Sequence, residues 1–179
     1  MEGGILEVLV VNAEGIKPRN LFGKPAYYVV IQCGTEVRRS KATRGYHHEA
    51  FWNQKFEFDF SFSEWKNLTH LEISIMDDES FNDTGFVGRS MIFLGGIIAE
   101  GNDRGIVELH PSAYNVVHED TTYEGEIKIG LKFEVYKEGH KATKEKTVQV
   151  TEAGHDVYRS LFRALKISWW RVLFPYGPY

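Results

Sequence analysis

The feature that most restricts the fold of this chain is a strict alternation of apolar and polar residues in several short segments. Residues 125–135 show it best, because every second position is apolar. These apolar positions are Ile127, Ile129, Leu131, Phe133 and Val135. Successive side chains of a β-strand point to opposite faces of its sheet, so a period of two predicts strands with one buried face.

Eight segments with this period lie in the first three quarters of the chain. They cover residues 4–11, 26–33, 36–43, 54–60, 70–77, 85–94, 104–110 and 125–135. Turn-forming residues separate the segments, and the sequence between them has no long helical period, which indicates an all-β fold. We therefore predict an eight-stranded antiparallel β-sandwich, with a short helical turn near residues 61–67.

The composition of the chain indicates the size of its core and the cellular compartment in which it works. The chain has 179 residues, of which 42% are hydrophobic, and this is enough for one core and an appended element. Its single cysteine, Cys33, excludes an internal disulfide and is typical of a reducing compartment. The sequence has an early Glu2 in place of the basic start of a signal peptide, and every long apolar run contains charges. We therefore expect a cytoplasmic protein.

The sequence changes character after the predicted sandwich, which occupies residues 1–137. Residues 138–155 are polar and predict a linker. Residues 156–174 have a helical period, and residues 175–179 form a short tail. The domain organisation we predict is therefore a sandwich followed by a linker, one helix and a tail.

The charge of the chain is divided unevenly between its two parts. Residues 1–137 carry 14 Lys and Arg against 21 Asp and Glu, which gives −7. Residues 138–179 carry 7 against 4, which gives +3. The division favours an acidic or anionic partner for the C-terminal part, although a solvated tail would carry the same charges.

The predicted C-terminal helix has large apolar side chains on one face and basic side chains on another. The residues expected to contact a membrane or a partner are Arg159, Leu161, Phe162, Arg163, Leu165, Lys166, Trp169, Trp170 and Arg171. This pattern is typical of a helix that lies in the membrane interface, with tryptophan at headgroup level. Two alternatives stay open: the helix occupies the groove of a partner protein, as calmodulin targets do, or it packs on its own sandwich.

Four segments, taken together, resemble the C2 domain, a calcium- and phospholipid-binding β-sandwich. They are GILEVLVVNAEGI (4–16), FWNQKFEF (51–58), LEISIMDDE with the later GFVG (71–88), and GEIKIGLKFEV (125–135). The last is similar to the closing strand of small single-domain members from plants. Ala50 departs from the family, because it stands where a proline is usual. The resemblance covers about residues 4–136, three quarters of the chain, and implies a C2-like fold.

The resemblance also implies where calcium would bind, between two loops at one end of the sandwich. Family members that bind calcium supply carboxylates from both loops, because the ion takes six to eight oxygen ligands. In the first loop of this chain, Asn20 and Ala26 stand where the family has aspartates. Asn20 keeps one neutral oxygen for an ion, and Ala26 keeps none.

The later loop keeps more of the family's acidic pattern. Asp77 matches the first aspartate, Glu79 stands for the second, and Gly85 stands for the third. Asp83 replaces the third only if the loop is rearranged. We expect either no cofactor or a weakly bound calcium ion, since charge count sets affinity. The expected ligands of that weak ion are Asn20, Asp77, Glu79 and Asp83.

Basic residues lie in and beside the third predicted strand, at Arg38, Arg39, Lys41 and Arg44. In some C2 domains a basic patch at this position contacts phosphoinositide headgroups, so the resemblance implies a lipid-binding role. Alternation sends Arg39 and Lys41 to one face and Arg38 to the other, and one patch cannot include them all. A solvated sheet edge is the alternative.

Other chemistry is not indicated by the sequence. Its histidines lack the helical spacing of metal ligands, and Cys33 lacks a cysteine partner, which argues against zinc. The chain has no G-x-S-x-G, P-loop or H-E-x-x-H motif, so we expect no enzyme activity. The acidic sandwich argues against binding to nucleic acid.

These expectations combine into one function and one alternative. The function is that of a non-enzymatic peripheral module, which binds anionic phospholipid membranes and serves as a signalling or membrane-targeting adaptor. The alternative is a soluble interaction adaptor, whose C-terminal helix binds the groove of a partner protein.

Overall fold

The computed structural model describes residues 2–16, 25–46, 48–65, 67–78 and 85–137. Its strands and helices, in chain order, are β1 Glu2–Glu14, β2 Ala26–Cys33, β3 Glu36–Arg39, β4 Thr43–Arg44, β5 Ala50–Ser61, α1 Phe62–Trp65, β6 His70–Asp77, β7 Phe86–Phe93, α2 Gly95–Arg104, β8 Ile106–Val117 and β9 Tyr123–Lys137. The pairings between these strands are antiparallel, and the fold is an all-β sandwich.

The strands form two halves that meet at one short junction. Their order is β3-β2-β6-β7-β8-β9-β1-β5, and β4 pairs with β2 outside this path. Between β7 and β8 the register has the single pair Arg89 and Val117. Ser90 Oγ strengthens this junction, because it donates a hydrogen bond of 2.6 Å to the Asn115 carbonyl. The chain therefore folds into one four-stranded layer, β3-β2-β6-β7, and a second layer, β8-β9-β1-β5.

The core lies between the inner faces of the two layers. The period-two segments supply it, with Leu6, Val8 and Val10 from β1, Phe56, Phe58 and Phe60 from β5, and Leu71, Ile73 and Ile75 from β6. On β9, Ile127, Ile129, Leu131 and Phe133 are buried as predicted, whereas Val135, near the end of the strand, is half-buried. Removing these apolar side chains from water is the main stabilising contribution to the sandwich.

The prediction of eight strands is wrong by one, because the segment at residues 36–43 divides into β3 and β4. Ser40 separates the two strands and is buried. Its Oγ accepts a hydrogen bond from Val29 N, and its own backbone N donates to Val29 O, both at 2.9 Å. A side-chain hydrogen bond thus replaces part of the backbone pairing between the strands. The next residue, Lys41, donates a backbone hydrogen bond to Gln54 Oε1 at 3.1 Å.

Helix α2 has no counterpart in the sequence prediction. Its sequence GGIIAEGNDR contains three glycines and few apolar residues, so it gives a weak helical pattern. Gly101 explains how it packs, since a Cβ built there would lie 2.4 Å from Phe133 Cδ1. The close approach of the helix to β9 requires glycine at this position. The predicted helical turn near residues 61–67 is confirmed as α1.

The predicted linker, C-terminal helix and tail, at residues 138–155, 156–174 and 175–179, lie outside the described residues. They stay predictions. Within the described ranges, neither helix is long and apolar enough to cross a membrane.

Candidate functional site

Strand register brings two of the predicted calcium-binding segments to one end of the sandwich. Tyr27 on β2 pairs with Asp77 on β6. Asp77 N donates to Gly85 O at 2.6 Å, and Asp78 N donates to Ala26 O at 2.7 Å. We call this end, defined by Ala26, Asp77, Asp78 and Gly85, the acidic pole.

Asp77 is the one predicted calcium ligand that lies among the described residues, and its side chain is only 4% exposed. It lies close to Tyr27, and burial of the phenol together with the Asp77 charge raises the pKa of Tyr27 to about 12. Trp52 Nε1 donates to Tyr27 O at 3.0 Å, which fastens β5 to this end of β2. Asp77 is thus a buried residue beside the Tyr27 phenol.

The described part of the acidic pole does not supply a full calcium ligand set. Ala26 and Gly85 occupy positions at which the family pattern has carboxylates, and neither has a side-chain oxygen. Among the described residues, no group of three or more His, Cys, Asp or Glu is placed to hold a metal ion. Asn20, Glu79 and Asp83 lie outside the described residues, so their predicted role as ligands stays a prediction.

Arg39, at the end of β3, links the basic strand to the acidic pole. Its guanidinium carbon lies 3.7 Å from the centroid of the Tyr28 ring. Its Nη2 donates a hydrogen bond of 2.8 Å to Asp78 Oδ1, and the two side chains are 56% and 44% exposed. A cation over an aromatic face and a charge-assisted hydrogen bond together fix the orientation of the guanidinium.

Arg38, the neighbouring residue, is engaged elsewhere. It forms an ion pair with Glu36, and its guanidinium lies 5.3 Å from the centroid of the buried Phe58 ring. Arg38 therefore covers an edge of the core, while Arg39 turns to Tyr28 and Asp78. These different partners agree with the alternation of the strand.

Lys41 and Arg44 are both exposed, but they lie on different segments. Lys41 follows Ser40 at the break between β3 and β4. Arg44 lies in β4 and pairs through its backbone with Ala26, at the acidic pole. The four predicted basic residues are thus spread over three local environments, and their lipid-binding role stays a prediction.

Sequence reasoning did not identify the partners of Arg39 or the exposed aromatic residue at the same end. Tyr46, next to β4, is 76% exposed. The adjacent Gly45 N donates to Pro25 O at 2.7 Å, which holds this turn beside the start of β2. A period-two pattern tells which face a residue occupies, but it does not identify a partner 39 positions away, as Asp78 is from Arg39.

Comparison with known proteins identifies relatives in both sequence and structure. The sequence profile of the C2 domain matches residues 4–109. "Elicitor-responsive protein 3" of Oryza sativa subsp. japonica is 36% identical over 133 residues, covering 74% of this chain and 85% of that protein. "16 kDa phloem protein 1" of Arabidopsis thaliana is 31% identical over 138 residues, covering 74% of this chain and 86% of that protein.

Similar folds are found among solved C2 domain structures. A C2 domain-containing protein from an elicitor-responsive gene matches with a TM-score of 0.55 and 31% identity, over 72% of this chain and 87% of that one. A C2 domain of plant Extended Synaptotagmin 1 matches with a TM-score of 0.57 and 20% identity, over 75% of this chain and 97% of that one. The second likeness concerns the fold alone.

Proposed function

The chain belongs to the C2 domain family, and from this premise we propose that it is a non-enzymatic module that binds anionic phospholipid membranes peripherally, without a tightly bound calcium ion. The observation that carries the proposal is the orientation of the exposed Arg39 guanidinium, whose carbon lies 3.7 Å from the centroid of the Tyr28 ring. An oriented guanidinium loses less side-chain entropy when it binds phosphate than a freely rotating one does.

The basic residues of this region offer a modest electrostatic attraction to an anionic surface. Lysine and arginine near such a membrane each contribute about 1 kcal/mol. Arg39, Lys41 and Arg44 are exposed and can contribute, whereas Arg38 is occupied by Glu36 and Phe58. Because Arg39 is also paired with Asp78, it contributes less than this to the binding free energy. The basic residues alone therefore give weak, reversible binding.

The described residues of the acidic pole support a weak dependence on calcium. Calcium affinity rises with the number of carboxylates that surround the ion. Ala26 and Gly85 add no carboxylate, and the Asp78 carboxylate is paired with Arg39. We therefore propose that calcium binds in the weak range, above about 100 μM, and acts as an accessory to lipid binding.

A second anchor is needed for stable attachment, since one modest signal gives only reversible membrane binding. We propose that the basic amphipathic segment at residues 156–174 supplies it. Exposed Tyr46, next to β4 and beside the acidic pole, is a further side chain suited to the headgroup region. The protein would then be cytoplasmic and would reside at the membrane periphery.

Co-sedimentation with vesicles tests this function. We expect the full chain to sediment with equimolar phosphatidylcholine and phosphatidylserine, with or without calcium, and to remain in solution with phosphatidylcholine alone. High salt should weaken the binding, because it screens the Coulomb attraction. A failure to bind anionic vesicles, or binding that requires calcium, would overturn the proposal.

A protein-binding adaptor is the second candidate, and exposed apolar residues on β7 favour it. Phe93 is 77% exposed and Met91 is 45% exposed, two positions apart on the outer face of the strand. Neighbouring apolar side chains that are exposed together are one feature of protein interfaces. If the protein is an adaptor, replacing Phe93 and Met91 together by serine, or deleting residues 156–179, should abolish binding of its protein partner. The wild-type chain should then not bind vesicles.

A further inference from the structure

Arg39 already binds an anion, and that anion is part of the protein. Its Nη2 donates to Asp78 Oδ1 at 2.8 Å, while one face of the guanidinium covers the Tyr28 ring. A guanidinium has five N–H donors, which match the oxygens of carboxylate and phosphate equally well. The position taken by the Asp78 carboxylate is therefore one that a phosphate group would also use.

The backbone holds Asp78 in this position. Asp78 N donates to Ala26 O at 2.7 Å, and the preceding residue, Asp77, pairs with Tyr27 across β2 and β6. On β6, Met76 pairs with Tyr28, so Asp78 continues the row of outward side chains that leads toward the Tyr28 ring. The carboxylate thus reaches Arg39 from an ordered strand end.

An external anion can reach the same guanidinium. The side chains of Arg39 and Asp78 are 56% and 44% exposed, so solvent has access to the pair. Exposed ion pairs are weak, so an external anion that displaces one binds about fivefold less tightly, or less than that, compared with an anion that meets a free arginine. An anionic lipid surface presents many phosphates at high local concentration, which favours exchange.

We propose that Asp78 is an intramolecular competitor for the phosphate-bearing headgroup that Arg39 binds, and that it thereby sets the affinity of this site for anionic membranes. Asp78 also repels a phosphate that approaches Arg39, since both are negatively charged. This inference rests on the proposed function and adds the residue that restrains it.

The test compares two variants. Each one neutralises the carboxylate that is paired with an arginine of β3. Asp78→Asn removes the partner of Arg39, and Glu36→Gln removes the partner of Arg38. Binding of the full chain to equimolar phosphatidylcholine and phosphatidylserine vesicles is titrated in the presence of a chelator. We expect Asp78→Asn to bind about fivefold more tightly than the wild type, and Glu36→Gln to change binding much less.

Two further measurements show whether the effect of Asp78→Asn depends on Arg39 and whether it needs a membrane. In the Arg39→Gln background, Asp78→Asn should change binding no more than Glu36→Gln does, because the group for which Asp78 competes is absent and only a general charge effect is left. Inorganic phosphate, added as a soluble competitor, separates a site for free phosphate from one that needs a membrane. We expect it to compete only weakly. If Asp78→Asn does not fold, as judged by its melting curve, Asp78→Ser replaces it.

The outcomes separate this inference from the proposed function. Tighter binding by Asp78→Asn alone, abolished by Arg39→Gln, supports the competition. Equal gains for Asp78→Asn and Glu36→Gln would show an effect of net charge only and would overturn it, while membrane binding itself would stand. Strong competition by inorganic phosphate would replace the membrane with a soluble ligand. If wild type and Asp78→Asn both fail to bind vesicles, both proposals fall.

Discussion

Replacing Arg39 and Lys41 together by alanine should weaken membrane binding strongly and leave the sandwich intact. Each basic residue near an anionic membrane contributes about 1 kcal/mol, so the pair accounts for at most about 2 kcal/mol, or roughly 30-fold in affinity. Arg39 is partly neutralised by Asp78, which lowers the expected loss to roughly tenfold. The variant should also respond less steeply to salt.

The stability of the same variant can be estimated from the structure. The ion pair of Arg39 and Asp78 is exposed at both ends, so its loss should cost less than about 1 kcal/mol and lower the melting temperature by only a few degrees. Arg38→Ala is the matched control: it removes one charge from the same strand but uncovers the Phe58 ring. We expect it to reduce stability more than binding.

Vesicle titration at several salt concentrations, together with thermal melting, measures these quantities. If the double variant bound anionic vesicles as tightly as the wild type at every salt concentration, Arg39 and Lys41 would have no role in binding. If Arg38→Ala weakened binding as much as the double change, the two faces of the strand would be equivalent, which contradicts the proposed role of Arg39.

Three further predictions concern the metal, the C-terminal segment and pH. Calorimetry should detect no calcium site tighter than about 100 μM, and a micromolar site abolished by Asp77→Asn would contradict this. Leu165→Glu with Trp169→Glu should reduce vesicle binding to the weak level of the basic residues alone, at a nearly constant melting temperature; a fall of several degrees would instead indicate a role in a core. Burial, and to a lesser degree Glu36, raises the pKa of Cys33 from 9.0 to about 12. The folded state therefore holds this thiol proton more tightly than the unfolded state does. The contribution of the Cys33 thiol to stability should be fully present below about pH 9 and should be lost as the pH rises toward 12, with a slope of at most about 1.4 kcal/mol per pH unit. Urea unfolding across this range should show the slope, and Cys33→Ala should reduce it.

The strands were predictable because their periodicity is local. The inner face of β9, from Ile127 to Phe133, is buried as the alternation requires. The boundary between β3 and β4 was not predictable, since it depends on a hydrogen-bonded exchange between Ser40 and Val29, which are 11 positions apart. Helix α2 was missed for a related reason: its glycine-rich sequence is a poor helix former, and packing on Phe133 compensates for it.

The sequence indicated which residues belong to the candidate site, but it did not indicate which partners hold them. The sequence indicated that Arg38 and Arg39 would face opposite sides, and their observed partners agree. It did not indicate that Tyr28 and Asp78 would hold Arg39, because this requires the register of β2 against both β3 and β6. The calcium ligands and the C-terminal helix stay predictions, since most of those residues lie outside the described ranges.

The most direct test of calcium-independent membrane binding is the affinity of the full chain for equimolar phosphatidylcholine and phosphatidylserine vesicles, first in chelator and then in calcium. We predict similar affinity in both solutions, together with negligible affinity for phosphatidylcholine alone. Binding that appears only after calcium is added, or that is equally tight on both kinds of vesicle, would contradict the proposed function.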